Sequence, residues 1–107
     1  MDPLHLTTSR HNGTLIVSVA GELDIATTEL LRGHLLALLQ EAGHSRVPGT
    51  ELVIEVSRLS FIDAAGLGIL VSVQNQAVNQ RTPLHIEGVP PNMRRLLRIT
   101  GLDRHLT

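Results

Sequence analysis

The sequence has 107 residues, a formal net charge of −1, 42% hydrophobic and 18% charged residues, the profile of one globular domain. It contains no Cys, its nine basic residues are all Arg, and Phe61 is its sole aromatic. These absences exclude disulfides, thiol catalysis, Cys-ligated zinc, a P-loop or Schiff-base lysine, and a nucleic-acid surface built on base stacking. The charge balance supplies no field that would draw in DNA or an anionic membrane. No apolar run approaches the length of a membrane-spanning helix, and Met1 to Arg10 lacks a signal-peptide pattern, so a cytoplasmic location is expected.

Leu4 to Ser9 predicts a first strand, and His11-Asn12-Gly13 a tight hairpin turn. Thr14 to Ala20 is β-branched and apolar and predicts a second strand, broken by Gly21. Asp24 is placed to cap a helix from Ala26 to Ala42, with Gly43 as its stop. Leu31, Leu35, Leu38 and Ala42 make its apolar stripe, widened by Leu30 and Leu39. His44 to Thr50, with Pro48 and Gly49, predicts a loop. Glu51 to Ser57 predicts a central strand covered on both faces, and Leu59 to Asp63 leads out of it.

A second helix is predicted over Ala64 to Asn79, with Leu67, Leu70, Val71 and Val78 on one face. Gly66 and Gly68 cost about 1 kcal/mol each there relative to Ala, so something other than helix propensity needs them. Leu84 to Val89 predicts a short strand. Pro90-Pro91 opens a third helix carrying Met93, Leu96, Leu97 and Thr100 on one face and ending at Gly101. Leu102 and Leu106 are expected to pack back on the core. The order β-β-α-β-α-β-α implies a small single-domain α/β sandwich over residues 1–107, a mixed sheet of about four strands packed with three or more helices.

Two strand-to-helix junctions are candidate sites. Phe61 to Gly68 places a helix N-terminus, suited to an anion or a partner's carboxylate, beside two glycines that allow close backbone approach. Gly21 to Asp24 is the second junction. In a parallel arrangement both fall on one sheet edge, with Asp24 and Asp63 as neighbours. Ordinary caps and tight helix–strand packing account for the same residues. The two carboxylates suffice for acid–base work only with further groups, which the sequence does not supply. His5, His11, His34, His44, His85 and His105 form no HExxH or i, i+4 pair, so no metal site is expected. Ser9, Ser18, Ser45, Ser57, Ser60 and Ser72 sit in no GxSxG elbow, which argues against a Ser hydrolase. Arg94, Arg95 and Arg98 cluster on the third helix, either as a reader of acidic groups or as a solvated face.

Phe61 to Leu70, FIDAAGLGIL, resembles the STAS family, and within it the bacterial anti-sigma factor antagonists. Val19 to Thr27, VAGELDIAT, and Gly88 to Leu106, GVPPNMRRLLRITGLDRHL, resemble two further motifs of that family, in the right order and spacing. The resemblance implies a non-enzymatic module without cofactor or metal. Its partner would be an anti-sigma factor, a serine kinase with a histidine-kinase-like ATP fold, whose capture frees a sigma factor for transcription. No direct nucleic-acid or membrane contact is implied, and a homodimer or assembly with other STAS proteins is compatible with it. The implied partner-binding residues are Asp24, Ile25, Thr27, Asp63, Ala64, Ala65, Gly66 and Leu67. The family's phosphorylated Ser aligns with Ala65, and Ala64 is not Ser either, so neither position accepts phosphate. Ser60, Thr27 and Thr28 are the hydroxyls nearby. The alternatives are a STAS scaffold or transporter subunit, and a domain binding nucleotide or lipid, for which the chain has no phosphate loop.

Overall fold

Two β-branched runs, in Thr14 to Val19 and Leu52 to Val56, form the centre of a four-stranded sheet. The computed structural model describes residues 3–45 and 49–106, with 104 and 105 as backbone alone. Pro48 of the expected loop lies outside the described residues. The elements run β1 (His5–His11), β2 (Thr14–Leu23), α1 (Thr28–Gly43), β3 (Glu51–Ile62), α2 (Ala64–Asn79), β4 (Leu84–Glu87), α3 (Pro91–Thr100) and α4 (Asp103–Leu106). The sheet order is β1-β2-β3-β4. β1 pairs antiparallel with β2 across the Asn12-Gly13 turn, whose two residues take positive φ; β3 is parallel to both β2 and β4. This is the α/β sandwich and the element order that the sequence predicts.

The helices gather on one face. Leu15, Val17 and Val19 of β2 and Leu52, Ile54 and Val56 of β3 are buried at every second position beneath α1 and α2. The residues between them, among them Ser18, Glu51 and Glu55, face the other way and are only half-buried. The expectation that β3 is covered on both faces is therefore corrected: its second face carries Glu51 and Glu55, and Val53 there is buried among neighbouring strands.

Other boundaries also differ. Gly21 does not break β2. It takes φ +101° beneath the Pro3 carbonyl, and the strand continues through two register shifts to Leu23. The same shifts let β3 run on to Ile62. β4 ends at Glu87, because Gly88 takes φ +72°. α1 starts at Thr28 instead of Ala26, because the chain first makes a turn. α2 spans the predicted residues, and α3 ends at Gly101 in the left-handed conformation.

The predicted faces hold in part. Leu31, Leu35, Leu38, Leu39 and Ala42 are buried, but Leu30 is exposed. On α2, Leu67 and Leu70 are buried together with Val73 and Ala77, whereas Val78 points to solvent. On α3, Met93 and Leu97 are buried and Thr100 is exposed, its hydroxyl donating to the Leu96 carbonyl at 2.8 Å. Leu106 packs on the core as expected.

Candidate docking surface

Parallel pairing of β2 and β3 puts both strand-to-helix junctions on one sheet edge. Leu23 pairs with Ile62, so Asp24 and Asp63 each follow one end of that pair. The Asp63 amide donates to the Leu23 carbonyl at 3.2 Å, which ties the junctions together.

At the second junction the Asp63 carboxylate caps α2. Its Oδ1 accepts from the Gly66 amide at 2.9 Å, and its carbonyl accepts from the Leu67 amide at 3.0 Å. Gly66 is required by packing: a Cβ there would lie 2.6 Å from Leu23 Cγ and 3.0 Å from the Leu23 carbonyl oxygen. Gly68 is different, since a Cβ there would meet nothing within 4 Å. Its open flank faces solvent, about one turn of helix from exposed Ala64 and half-buried Ala65.

At the first junction Asp24 does not cap a helix, which corrects the expectation. Its Oδ1 accepts from the Ala26 amide at 2.9 Å and the Thr27 amide at 3.2 Å, closing a turn ahead of α1. Its carbonyl accepts from the amides of Thr27 and Thr28 at 3.1 and 3.0 Å. The Thr27 hydroxyl donates to the Glu22 carbonyl at 3.0 Å and accepts from the Asp24 amide at 3.0 Å. Thr27 is the residue before α1 but gives it no side-chain cap. This turn pushes Ile25 outward, to 78% exposure.

Of the eight residues singled out from the sequence, six reach the surface of this edge. Ile25 and Ala64 are exposed, and Asp24, Thr27, Asp63 and Ala65 are half-buried. Gly66 and Leu67 are buried, so they support the surface from beneath and do not form it. Phe61, exposed at 46%, and Gly68, the two ends of the second junction, are exposed as well. Ser60 is the extra residue between the pairs Gly21–Leu59 and Glu22–Phe61, and this bulge shifts the alternation so that Ile62, and not Phe61, follows buried Leu59 into the core. Exposed Ile25 and Phe61 thus project from an edge whose carboxylates are occupied by their own turns. Among the nearby hydroxyls, Thr28 is buried and donates to the Ile25 carbonyl, Thr27 is engaged as described, and Ser60 is exposed. Among the described residues, no three His, Asp or Glu side chains gather as a metal site, and no helix is long and apolar enough to cross a membrane.

The fold and motifs define the class. Residues 6–107 match the family described as Mlab, STAS domain, and the chain belongs to that family. It is 34% identical over 100 residues to the anti-sigma-B factor antagonist of Staphylococcus epidermidis, covering 92% of this chain and 86% of that one. It is 30% identical over 105 residues to the anti-sigma-F factor antagonist RsfB of Mycobacterium tuberculosis, covering 96% and 79%. The crystal structure of an anti-sigma factor antagonist from Mycobacterium paratuberculosis superposes with a TM-score of 0.80 at 27% identity, covering 98% of this chain and 84% of that one.

Proposed function

We propose that this chain is an anti-sigma factor antagonist, a binding module that docks an anti-sigma factor on the shared edge of β2 and β3 and so releases a sigma factor for transcription. The observation that carries this reading is the exposure of two large apolar side chains, Ile25 and Phe61, one at each of the junctions that Asp24 and Asp63 hold. Two large apolar side chains in water on a fixed frame are the kind of anchors a partner's pockets take up. The names of the relatives support the same role. The partner is an anti-sigma factor with a histidine-kinase-like ATP fold, and the setting is cytoplasmic. No cofactor takes part.

Ala65 occupies the second position of α2, the position to which the family resemblance assigns a phosphorylated Ser. Lacking a hydroxyl, it leaves the module without that off-switch, so binding persists in the presence of ATP. A negative charge at this point would be favoured by the helix N-terminus, so Ala65→Glu is expected to fold. It would also place a charge in the middle of an apolar contact, where desolvation weakens docking.

The test is capture of partners from a lysate of the source organism with wild-type protein and Ala65→Glu, with and without ATP and magnesium. Wild type should retain a kinase-like anti-sigma factor throughout, and Ala65→Glu should lose it. Recovery of a transporter or other STAS proteins, with no such kinase, would reassign the chain as a scaffold. Equal retention by Ala65→Glu would move the interface elsewhere.

A further inference from the structure

We propose that the chain forms a two-fold symmetric dimer by antiparallel pairing of β1 with β1 of a second copy, the two α1 helices closing over the seam.

β1 is an edge of the sheet, with β2 on one side only. Its seven residues pair with β2 without a register shift. The strand holds no Pro, no Lys and no bulge, the devices that ordinarily blunt an edge. Its Arg10 is folded back onto Glu41 of α1. The two-residue turn at Asn12-Gly13 closes on the pair His11–Thr14, so the bonds exchanged with β2 come from His11, Ser9, Thr7 and His5. The N–H and C=O groups of Leu6, Thr8 and Arg10 therefore point away from β2. Among the described residues, no backbone hydrogen bond joins them to another element.

These groups are spaced for self-pairing about Thr8. Thr8 then meets Thr8 of the second copy, and Leu6 meets Arg10, whose stem is apolar. On the other face Thr7 meets Ser9, a favourable hydroxyl pair, and His5 meets His11. A net charge of −1 puts almost no repulsion between the copies.

α1 points independently to the same axis. His34 Nε2 lies 2.8 Å from Thr8 Oγ1, and Glu41 holds Arg10, which marks this flank of α1 as the one beside β1. Leu30 stands one turn before His34 on that flank, and Ala37 one turn after it. Both are exposed, Leu30 at 58%. A two-fold axis through Thr8 runs close to His34 and sets Leu30 of each helix beside Ala37 of the other, a large side chain against a small one. One axis thus pairs the strands and covers apolar surface that the monomer leaves in water. The reversed strands place the two docking edges at opposite ends of the dimer.

The test is sedimentation equilibrium of the full chain from low to high micromolar concentration. Wild type should approach twice the mass of one chain. Thr8→Pro removes an outward N–H at an edge position where Pro is tolerated, and it should stay monomeric with its circular dichroism intact. Leu30→Glu should weaken the dimer about tenfold or more, and Val78→Glu, at a similarly exposed site on α2, should leave it unchanged. Thr8→Cys reads the register in a chain that has no other Cys. The Cα atoms of the axial pair would stand about 5.5 Å apart, within disulfide range. This variant should oxidise quickly to a covalent dimer, whereas His85→Cys on β4 should not. The proposal is overturned if wild type stays monomeric at the highest concentration, if Thr8→Pro or Leu30→Glu dimerises as wild type does, or if Thr8→Cys cross-links no faster than His85→Cys.

Discussion

The two junctions that follow Leu23 and Ile62 use the same side chain for different ends. Asp63 caps its helix directly, so α2 begins at the next residue and is held against Leu23 through Gly66. Asp24 closes a separate turn, and α1 begins four residues later. The direct cap yields a flat floor of small residues, Ala64 and Gly68. The turn yields a projecting apolar knob, Ile25. A surface with one floor and one knob needs both solutions, and a repeat of either would lack half of it.

The contrast breaks most sharply at the two glycines. Gly66→Ala would press a methyl onto Leu23, and overpacking of this kind costs about 1–3 kcal/mol, partly offset by about 1 kcal/mol of helix propensity. A urea denaturation midpoint well below wild type is expected; an unchanged midpoint would show that Leu23 yields freely. Asp63→Ala should cost about 1 kcal/mol through the lost cap. Asp24→Ala should cost less in the same assay, because the Thr27 hydroxyl and two backbone bonds to the Asp24 carbonyl remain. Should Asp24→Ala prove the more damaging, the turn and not the cap would hold the edge. Gly68→Ala meets open space and should stabilise the fold by up to about 1 kcal/mol, while reducing partner retention in the capture assay.

The smallest effect lies at the other end of the sheet, in the exposed pair Arg10–Glu41 at 2.7 Å. Hydrogen bonding to Arg10 lowers the Glu41 carboxyl below its ordinary value, against an opposing effect of burial and with help from the Arg10 charge. A carboxylate lowered in the folded state adds stability above its unfolded pKa and loses it as the pH falls through the folded value. Glu41→Gln should therefore differ slightly from wild type at neutral pH and match it in acid. A difference that persists in acid would give Glu41 a role beyond its charge.

Much of this was legible in the sequence, where local chemistry alone decides. Asp63 with Gly66 and the apolar spacing of Leu67 and Leu70 fixed the start and face of α2, and Gly101 fixed the end of α3. The rest depends on residues far apart in the chain. A helix cap and a turn closure use the same Asp, and only the Thr27 hydroxyl bonded back to Glu22 distinguishes them at Asp24. The full length of β3 rests on register shifts against β2, which no pattern within Glu51 to Ser57 contains. That Phe61, already part of the candidate junction, faces solvent was not legible for the same reason: the bulge at Ser60 decides its side. Val78 and Ala77 exchanged places because burial on α2 follows what covers the helix, not hydrophobicity alone.

The hairpin turn at Asn12-Gly13 opens β2, and the docking edge closes it, so the ten-residue strand separates them by roughly 30 Å. That distance makes the turn a convenient handle. A fluorophore or surface tether attached at Asn12 would sense unfolding of the hairpin yet leave the far edge unobstructed, so one labelled protein could report stability and partner capture as independent signals.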